Sequence, residues 1–287
     1  MRSVLDFDLE FYRLAFGLFL IRLTHLQIFV CPLVIKYFLQ KHFHERYGHY
    51  ASRVSGRMGR AAGGVSGGTV ASLMYVAEQA SKDASIRDTV MDPYALYPPG
   101  MKKGSDKPDQ TGIAWDDDFG SWTGPFVMAA INTKVVRRSH ALAGLPYGAD
   151  FGYDESQLCS SRAKAILSAG GLGTVMAGTF FSPTRALLKK LLPDPGEGPN
   201  KETRDKGFFE FWAHGTDGEN TLRVKVTGQR DPGYGATSRM LAQAGLCLTQ
   251  DELAVGGGIW TPASALGDAL LARLPDVDIH FTVVEEQ

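Results

Sequence analysis

The segment Ser66-Gly67-Gly68-Thr69 has the residue types and the position to bind a small ligand. It ends a run of small residues and comes directly before a stretch with helical spacing of apolar residues. The first N–H groups of a helix have no helical acceptor, and with the helix dipole they can hold a phosphate or a carboxylate. The segment therefore predicts a site for an anionic or carbonyl group. The alternative is a capped helix behind a glycine turn.

A second junction of the same kind is Asp231-Pro232-Gly233-Tyr234-Gly235, which lies between a predicted strand and a predicted helix over residues 236–248. Thr237 is a candidate helix cap. The hydroxyl of Tyr234 is a candidate proton donor, although a tyrosine with an ordinary pKa near 10 needs a cationic neighbour to act as a base. The alternative is a tyrosine that packs over a turn.

Residues 126–143 show helical periodicity and supply the basic side chains Lys134 and Arg137. We expect the two glycine turns to face one crevice, with Lys134 or Arg137 close enough to add positive charge. Tyr234 and Lys134 are the predicted catalytic residues. The predicted substrate-binding residues are Ser66, Gly67, Gly68, Thr69, Arg137, Asp231 and Thr237. The alternative for the basic residues is a solvated helix surface.

Several local patterns define the elements that would position these residues. Residues 53–58 read as a strand, and residues 208–214 and 221–228 alternate in polarity as a hairpin. Thr261-Pro262 is a strong helix start, and residues 279–284 form a predicted closing strand. Together they predict an α+β domain whose mixed β-sheet has helices packed on one face.

Other stretches predict irregular structure. Residues 85–115 contain repeated Pro, Gly and Asp and predict a long surface loop. Residues 155–192 predict mostly helix, broken at Gly170-Gly171-Leu172-Gly173. Asp116-Asp117-Asp118 predicts a solvated charge run, because its carboxylates lack the spacing of a calcium loop.

The N-terminal segment differs in composition from the rest of the chain. Residues 14–35 are apolar enough to suggest a membrane span, but Arg22 lies near their middle, where a charge is costly in hydrocarbon. We predict a helix there that does not stably span a bilayer; the alternatives are a spanning helix, a buried or interfacial helix, and a segment foreign to the ancestral fold. Residues 36–50 predict a surface helix. We therefore separate residues 1–50 from a domain over 51–287.

Composition limits the classes of partner. Thirty basic and 31 acidic side chains give a formal net charge of −1, which offers no electrostatic basis for binding nucleic acid. The three cysteines, Cys31, Cys159 and Cys247, are scattered and lack metal-ligand spacing. They predict reduced thiols in an intracellular protein without a structural metal.

Five blocks carry a resemblance to a known family, at residues 59–80, 124–142, 192–199, 226–244 and 257–274. In this order they resemble the saccharopine dehydrogenase-like oxidoreductases, and within them the branch of trans-acting enoyl reductases of lipid synthesis. The resemblance implies hydride transfer from a nicotinamide cofactor, NADP, to a lipid-like or other unsaturated carbonyl substrate, in lipid or glycolipid metabolism. It also implies that residues 51–287 are the C-terminal substrate or dimerisation domain.

The same resemblance implies an N-terminal nucleotide-binding domain with a GxGxxG turn, yet residues 1–50 contain only Gly17 and Gly48. We therefore expect a truncated member that binds NADPH weakly or not at all. The alternative is a catalytically inactive binding or oligomerisation module. A small-molecule or lipid-like substrate, a homodimer, and a membrane or lipid-droplet surface stay open as partners, with a cytoplasmic or membrane-associated location.

Overall fold

A computed structural model describes residues 19–64, 67–101, 103–104, 106, 108–180, 184 and 197–284. Within these ranges seven strands form one mixed sheet in the order β2-β3-β4-β1-β5-β6-β7. The β1–β4 pair is parallel and the other five neighbouring pairs are antiparallel. The strands are β1 (Arg53–Ala62), β2 (Ala114–Asp116), β3 (Ser121–Gly124), β4 (Gly152–Cys159), β5 (Phe208–Thr216), β6 (Thr221–Gln229) and β7 (Ile279–Val284).

Helices occupy most of the remaining described chain. They are α1 (Phe19–Tyr47), α2 (Gly67–Lys82), α3 (Ala84–Met91), α4 (Ala129–Leu142), α5 (Arg162–Phe180), α6 (Lys201–Lys206), α7 (Gly235–Gln250), α8 (Pro262–Ala265) and α9 (Gly267–Arg273), followed by a 3-10 helix at Leu274–Val277.

The core lies between the sheet and the helices α1, α4 and α7. On β5, Phe209, Phe211 and Ala213 belong to the buried core, while the alternate residues Glu210 and Trp212 lie on the opposite, polar face. This alternation follows from the two-residue period of a strand. The predicted α+β class with a mixed sheet is confirmed.

Helix α1 contributes several fully buried side chains to the core. Leu33, Ile35, Leu39 and Phe43 are fully buried, and α1 contacts both β5 and β6 as well as α4 and α7. The prediction of a surface helix over residues 36–50 is confirmed only in part: the chain is helical to Tyr47 and residues 44–46 are exposed, but Lys36 is buried within this packing. The division at residue 50 stays a prediction, although residues on both sides of it share one core.

The predicted helix over residues 14–35 falls partly outside the described residues, which begin at 19. The part that is described is helical, as expected. Among the described helices, none has the length and apolar character needed to cross a bilayer.

The locally encoded elements are confirmed. The predicted hairpin is β5–β6, with Phe211 opposite Val226, and the predicted closing strand is β7. Thr261 caps α8 in a capping box with Ser264, and Pro262 occupies the first turn.

Three other predictions are wrong. Residues 155–159 complete β4 instead of starting a helix, because they pair with both β1 and β3. Helix α5 runs through Gly170, Gly171 and Gly173 without a break. The predicted loop over residues 85–115 begins with helix α3, which Asp83 caps through its bond from the Ser85 N–H.

The acidic run at residues 116–118 is also not simply solvated. Asp116 is buried and accepts a hydrogen bond from Nε of Arg57 at 2.6 Å. Nη1 of Arg57 donates to Asp154 at 2.6 Å, so one buried guanidinium joins β1, β2 and β4. Asp116 is therefore the buried residue of this acidic run.

Candidate functional site

The two predicted glycine turns lie side by side. The N–H of Gly67, at the start of α2, donates to the carbonyl of Glu197 at 3.1 Å. The hydroxyl of Tyr234 donates to that same carbonyl at 3.3 Å. One peptide oxygen therefore connects the start of α2 with the start of α7; Ser66 lies outside the described residues.

Two glycines allow this close approach. A Cβ on Gly63 would lie 2.6 Å from Cβ of Asp231, and a Cβ on Gly64 would lie 2.6 Å from Cβ of Pro199. Such separations are too short for non-bonded carbon atoms, so a side chain at either position would force the segments apart. The chain's own loops therefore fill the space beside this turn. We call residues 63–64, 67–69, 197–199 and 231–235 the glycine junction.

Asp231 organises the start of α7. Its fully buried carboxylate accepts hydrogen bonds from the N–H groups of Gly233, Tyr234 and Gly235, at 3.1, 3.0 and 2.7 Å. These are donors that we expected to be available to a substrate. They are satisfied within the chain, so α7 does not direct those N–H groups at a ligand.

The remaining predicted residues of the junction have mixed environments. Thr237 is fully buried and donates to the Pro232 carbonyl at 2.7 Å. Gly68 accepts a hydrogen bond from the Ser72 hydroxyl at 2.7 Å, and Thr69 is partly buried in the first turn of α2. Gly68 and Thr69 are thus partly enclosed, whereas Gly63, Glu197 and Gly198 are the exposed residues of the junction.

Lys134 and Arg137 contact a different part of the molecule. Nζ of Lys134 donates to the Ala130 carbonyl at 2.7 Å, and burial lowers the pKa of this lysine. Arg137 is buried, with Nε donating to Asp106 at 2.7 Å and Nη2 to the Tyr153 carbonyl at 3.0 Å. Helix α4 packs mainly on α1 and β4, whereas α2 packs on α1, α3 and α5. The contacts do not join these cations to the glycine junction, and their roles stay predictions.

Sequence reasoning missed a carboxyl group beside α4 whose pKa is strongly raised. Glu155 on β4 is buried. Its carboxyl oxygens accept hydrogen bonds from Nδ2 of Asn132 and from the Tyr153 hydroxyl, each at 2.8 Å. Desolvation raises the pKa of Glu155 to about 8, more than these two hydrogen bonds lower it. Oδ1 of Asn132 is buried without a partner. At neutral pH this is an uncharged, proton-carrying group in the interior.

A signal for Glu155 existed in the sequence. Tyr153 and Glu155 occupy alternate positions of one strand, and an acidic residue at an inward position of a strand predicts a buried carboxyl. The interpretation of residues 155–192 as helical concealed that alternation. Within the described part of the chain, no cluster of three His, Cys, Asp or Glu side chains could hold a metal ion.

Comparison with known proteins gives a consistent set of relatives. A Mycobacterium tuberculosis protein that is provisionally named a trans-acting enoyl reductase is 39% identical over 76% of this chain and 56% of its own length. Trans-acting enoyl reductases of Mycobacterium bovis and Mycobacterium ulcerans are 37% and 33% identical, each over 75% of this chain and 55% of their own length. The chain thus spans about half the length of the relatives it matches. No family model and no solved structure matches the sequence.

The glycine junction does not fit the pyrophosphate of a nicotinamide dinucleotide. A dinucleotide turn needs glycines that let the phosphates approach the backbone. Here Asp231 and Pro199 occupy the space beside Gly63 and Gly64, and the Gly67 N–H donates to a carbonyl. No cofactor position is therefore assigned to these residues.

Proposed function

We propose that this chain is part of an oxidoreductase of the trans-acting enoyl reductase type, related to the saccharopine dehydrogenase-like oxidoreductases. Its reaction would be reduction of a carbon–carbon double bond conjugated to a carbonyl group, on a lipid-like substrate. The similarity to proteins of that name over three quarters of this chain carries the proposal. The hydride would come from a nicotinamide cofactor, for which we propose NADP.

Within this proposal the glycine junction contributes the substrate side of the site. Reduction of an enoyl group adds hydride at one carbon and a proton at the other, so it needs a proton donor. Tyr234 is the proposed donor, because its hydroxyl lies beside the start of α2. Thr69 and the backbone at Gly68 would bind the substrate carbonyl at the partly enclosed start of α2.

Lys134 and Arg137 are the proposed sources of positive charge. Burial lowers the pKa of Lys134 and the charge of Arg137 lowers it further, whereas the charge of Asp109 opposes this shift. Its contacts lie on α4, so a catalytic role for it requires that a substrate extend from the glycine junction towards that helix. Variants of Tyr234 and Lys134 therefore test two separable parts of the proposal.

The decisive experiment measures oxidation of NADPH by the full chain, at high NADPH concentration, with an α,β-unsaturated acyl thioester. Because we expect NADPH to bind weakly, we expect slow turnover, which Tyr234→Phe reduces at least tenfold. Tyr75→Phe is the matched control, since Tyr75 is an exposed tyrosine on α2 away from the junction. Absence of turnover by the unmodified chain would contradict the enzymatic proposal.

A specific observation favours the alternative of a catalytically inactive binding or oligomerisation module. Side chains of the chain itself, those of Asp231 and Pro199, fill the space beside Gly63 and Gly64. For this function the expected result is saturable binding of the acyl thioester, or a concentration-dependent dimer, without turnover. Isothermal titration calorimetry and analytical ultracentrifugation would distinguish the two cases.

A further inference from the structure

Helix α5 exposes an apolar surface with no charged residue over most of its length. From residue 166 to residue 177 its exposed side chains include Ile166, Leu167, Val175 and Ala177. Leu167 is 75% exposed and Ile166 is 53% exposed. The hydroxyl of Thr174 donates to the Gly170 carbonyl at 2.8 Å, which reduces the polarity of this surface further.

Only a narrow strip of α5 packs against the rest of the protein. Ala165 is fully buried, and α5 packs against β3, β4 and α2. The three glycines Gly170, Gly171 and Gly173 have open space where a Cβ would lie. A helix that is apolar around its whole circumference is expected to be surrounded by protein or lipid, not by water.

The surroundings of α5 carry positive charge and aromatic rings. Arg162 and Lys164 lie in its first turn, and the guanidinium of Arg162 lies 5.3 Å from the ring centroid of Trp122. Trp122 contacts Trp115 edge-on at 5.7 Å, and Trp115 is 51% exposed. Tryptophan and cationic residues next to an exposed apolar helix are typical of a protein segment at the membrane–water interface.

The charged residues of α5 all have the same sign. Helix α5 contains no acidic residue, whereas Arg162 and Lys164 in its first turn are basic. The chain as a whole has a formal net charge of −1, so this stretch is a local concentration of positive charge. Complementarity therefore selects a negatively charged surface over a second copy of this chain.

We propose that α5 docks the protein on the surface of a bilayer that contains anionic phospholipid. The helix lies in the plane of the interface, with Ile166, Leu167 and Val175 in the acyl region and Arg162 and Lys164 at the head groups. It does not cross the bilayer, which agrees with the lack of a spanning helix among the described residues. This surface is independent of the proposed reaction.

Co-sedimentation of the full chain with vesicles tests this proposal. We expect binding to phosphatidylcholine vesicles that contain phosphatidylserine and weaker binding to phosphatidylcholine alone. The double substitution Ile166→Glu with Leu167→Glu should lower partitioning at least tenfold. Leu248→Glu is the matched control, because Leu248 is 64% exposed on α7, and it should leave partitioning unchanged.

Charge is tested separately. Arg162→Gln and Lys164→Gln should each lower binding to the anionic vesicles about fivefold and leave binding to phosphatidylcholine unchanged. Should the double glutamate variant fail to fold, a fluorophore on Thr174→Cys, compared with one on Leu248→Cys, supplies a second measurement. Only the first should shift to shorter wavelength when vesicles are added.

Two outcomes would overturn the proposal. One is vesicle binding that the α5 substitutions do not reduce, which would assign the membrane contact to another segment. The other is a dimer in analytical ultracentrifugation that the same substitutions dissociate, without any vesicle binding. That result would make α5 an interface between copies of the chain.

Discussion

Glu155 makes the stability of the protein depend on pH in an unusual direction. The native carboxyl keeps its proton up to its pKa of about 8, whereas the unfolded chain releases it near pH 4.5. Between these values the native state binds one proton more, so the free energy of unfolding falls as pH rises. Each pKa unit corresponds to about 1.4 kcal/mol, so the expected loss is a few kcal/mol.

The measurement is urea unfolding of Glu155→Gln and of the unmodified protein at intervals from pH 5 to pH 8. The glutamine variant should lose most of the downward slope, because it carries no titrating proton. Glu219→Gln, in the exposed turn after β5, is the control and should keep the slope. Equal slopes in all three proteins would show that Glu155 is ionised in the native state.

The ion-pair network of Arg57 yields a second prediction at this scale. Asp116 has 7% of its side chain exposed and Asp154 has 40%, although both lie 2.6 Å from the guanidinium. Removing a buried partner leaves a desolvated charge, while water replaces an exposed one. Asp116→Ala should therefore destabilise the fold by about 3 kcal/mol, and Asp154→Ala by less than about 1 kcal/mol. Thermal unfolding of both variants decides this; a greater loss for Asp154→Ala would contradict it.

At the scale of elements, the same substitution should have opposite effects in two glycine-rich segments. Gly63→Ala places a Cβ 2.6 Å from Asp231, so we expect a loss of about 1–3 kcal/mol. Gly170→Ala meets open space in the middle of α5, where alanine favours the helix by about 1 kcal/mol. Urea midpoints of the two variants provide the comparison, and stabilisation by Gly63→Ala would show that the glycine junction is not closely packed.

The elements also show where sequence reasoning succeeds. The β5–β6 hairpin, strand β7 and the Thr261 cap depend on patterns within a few residues, and they are confirmed. The glycines of α5 predict a break, because glycine lowers helix propensity. One glycine costs only about 1 kcal/mol, however, so the neighbouring helical residues can offset that cost. The burial of Lys36 and Glu155 depends on residues distant in the sequence, which periodicity does not report.

The candidate site residues also show that contacts between distant parts of the chain are harder to predict than local patterns. The two glycine turns lie side by side, but the described contacts do not show the predicted shared crevice with Lys134 or Arg137 beside it. The capture of three N–H groups by Asp231 was not predictable from the order of residues alone. It requires the Asp231 carboxylate to accept hydrogen bonds from N–H groups of its own loop, which the burial of this side chain favours.

For the whole molecule, we predict that the isolated chain binds NADPH weakly or not at all. Asp231 and Pro199 fill the glycine junction, and the sequence of residues 1–50 contains no GxGxxG motif. Fluorescence titration with NADPH is the measurement, with the matched variant Gly64→Ala as a control for non-specific binding. A dissociation constant in the micromolar range or below, sensitive to that variant, would show a nucleotide site that these contacts do not reveal.

The central position of β1 has a consequence for how the chain reaches this structure. Arg53 pairs with Gly152 on one side and with Thr216 on the other, so the two partners follow about 100 and about 160 residues later. Pairings of such long sequence separation slow folding, because the loop must close before the contacts form. During synthesis on the ribosome, β1 has no strand partner until β4 has emerged, and its second edge stays unpaired until β5 has emerged. The nascent chain is therefore expected to need a chaperone over that interval.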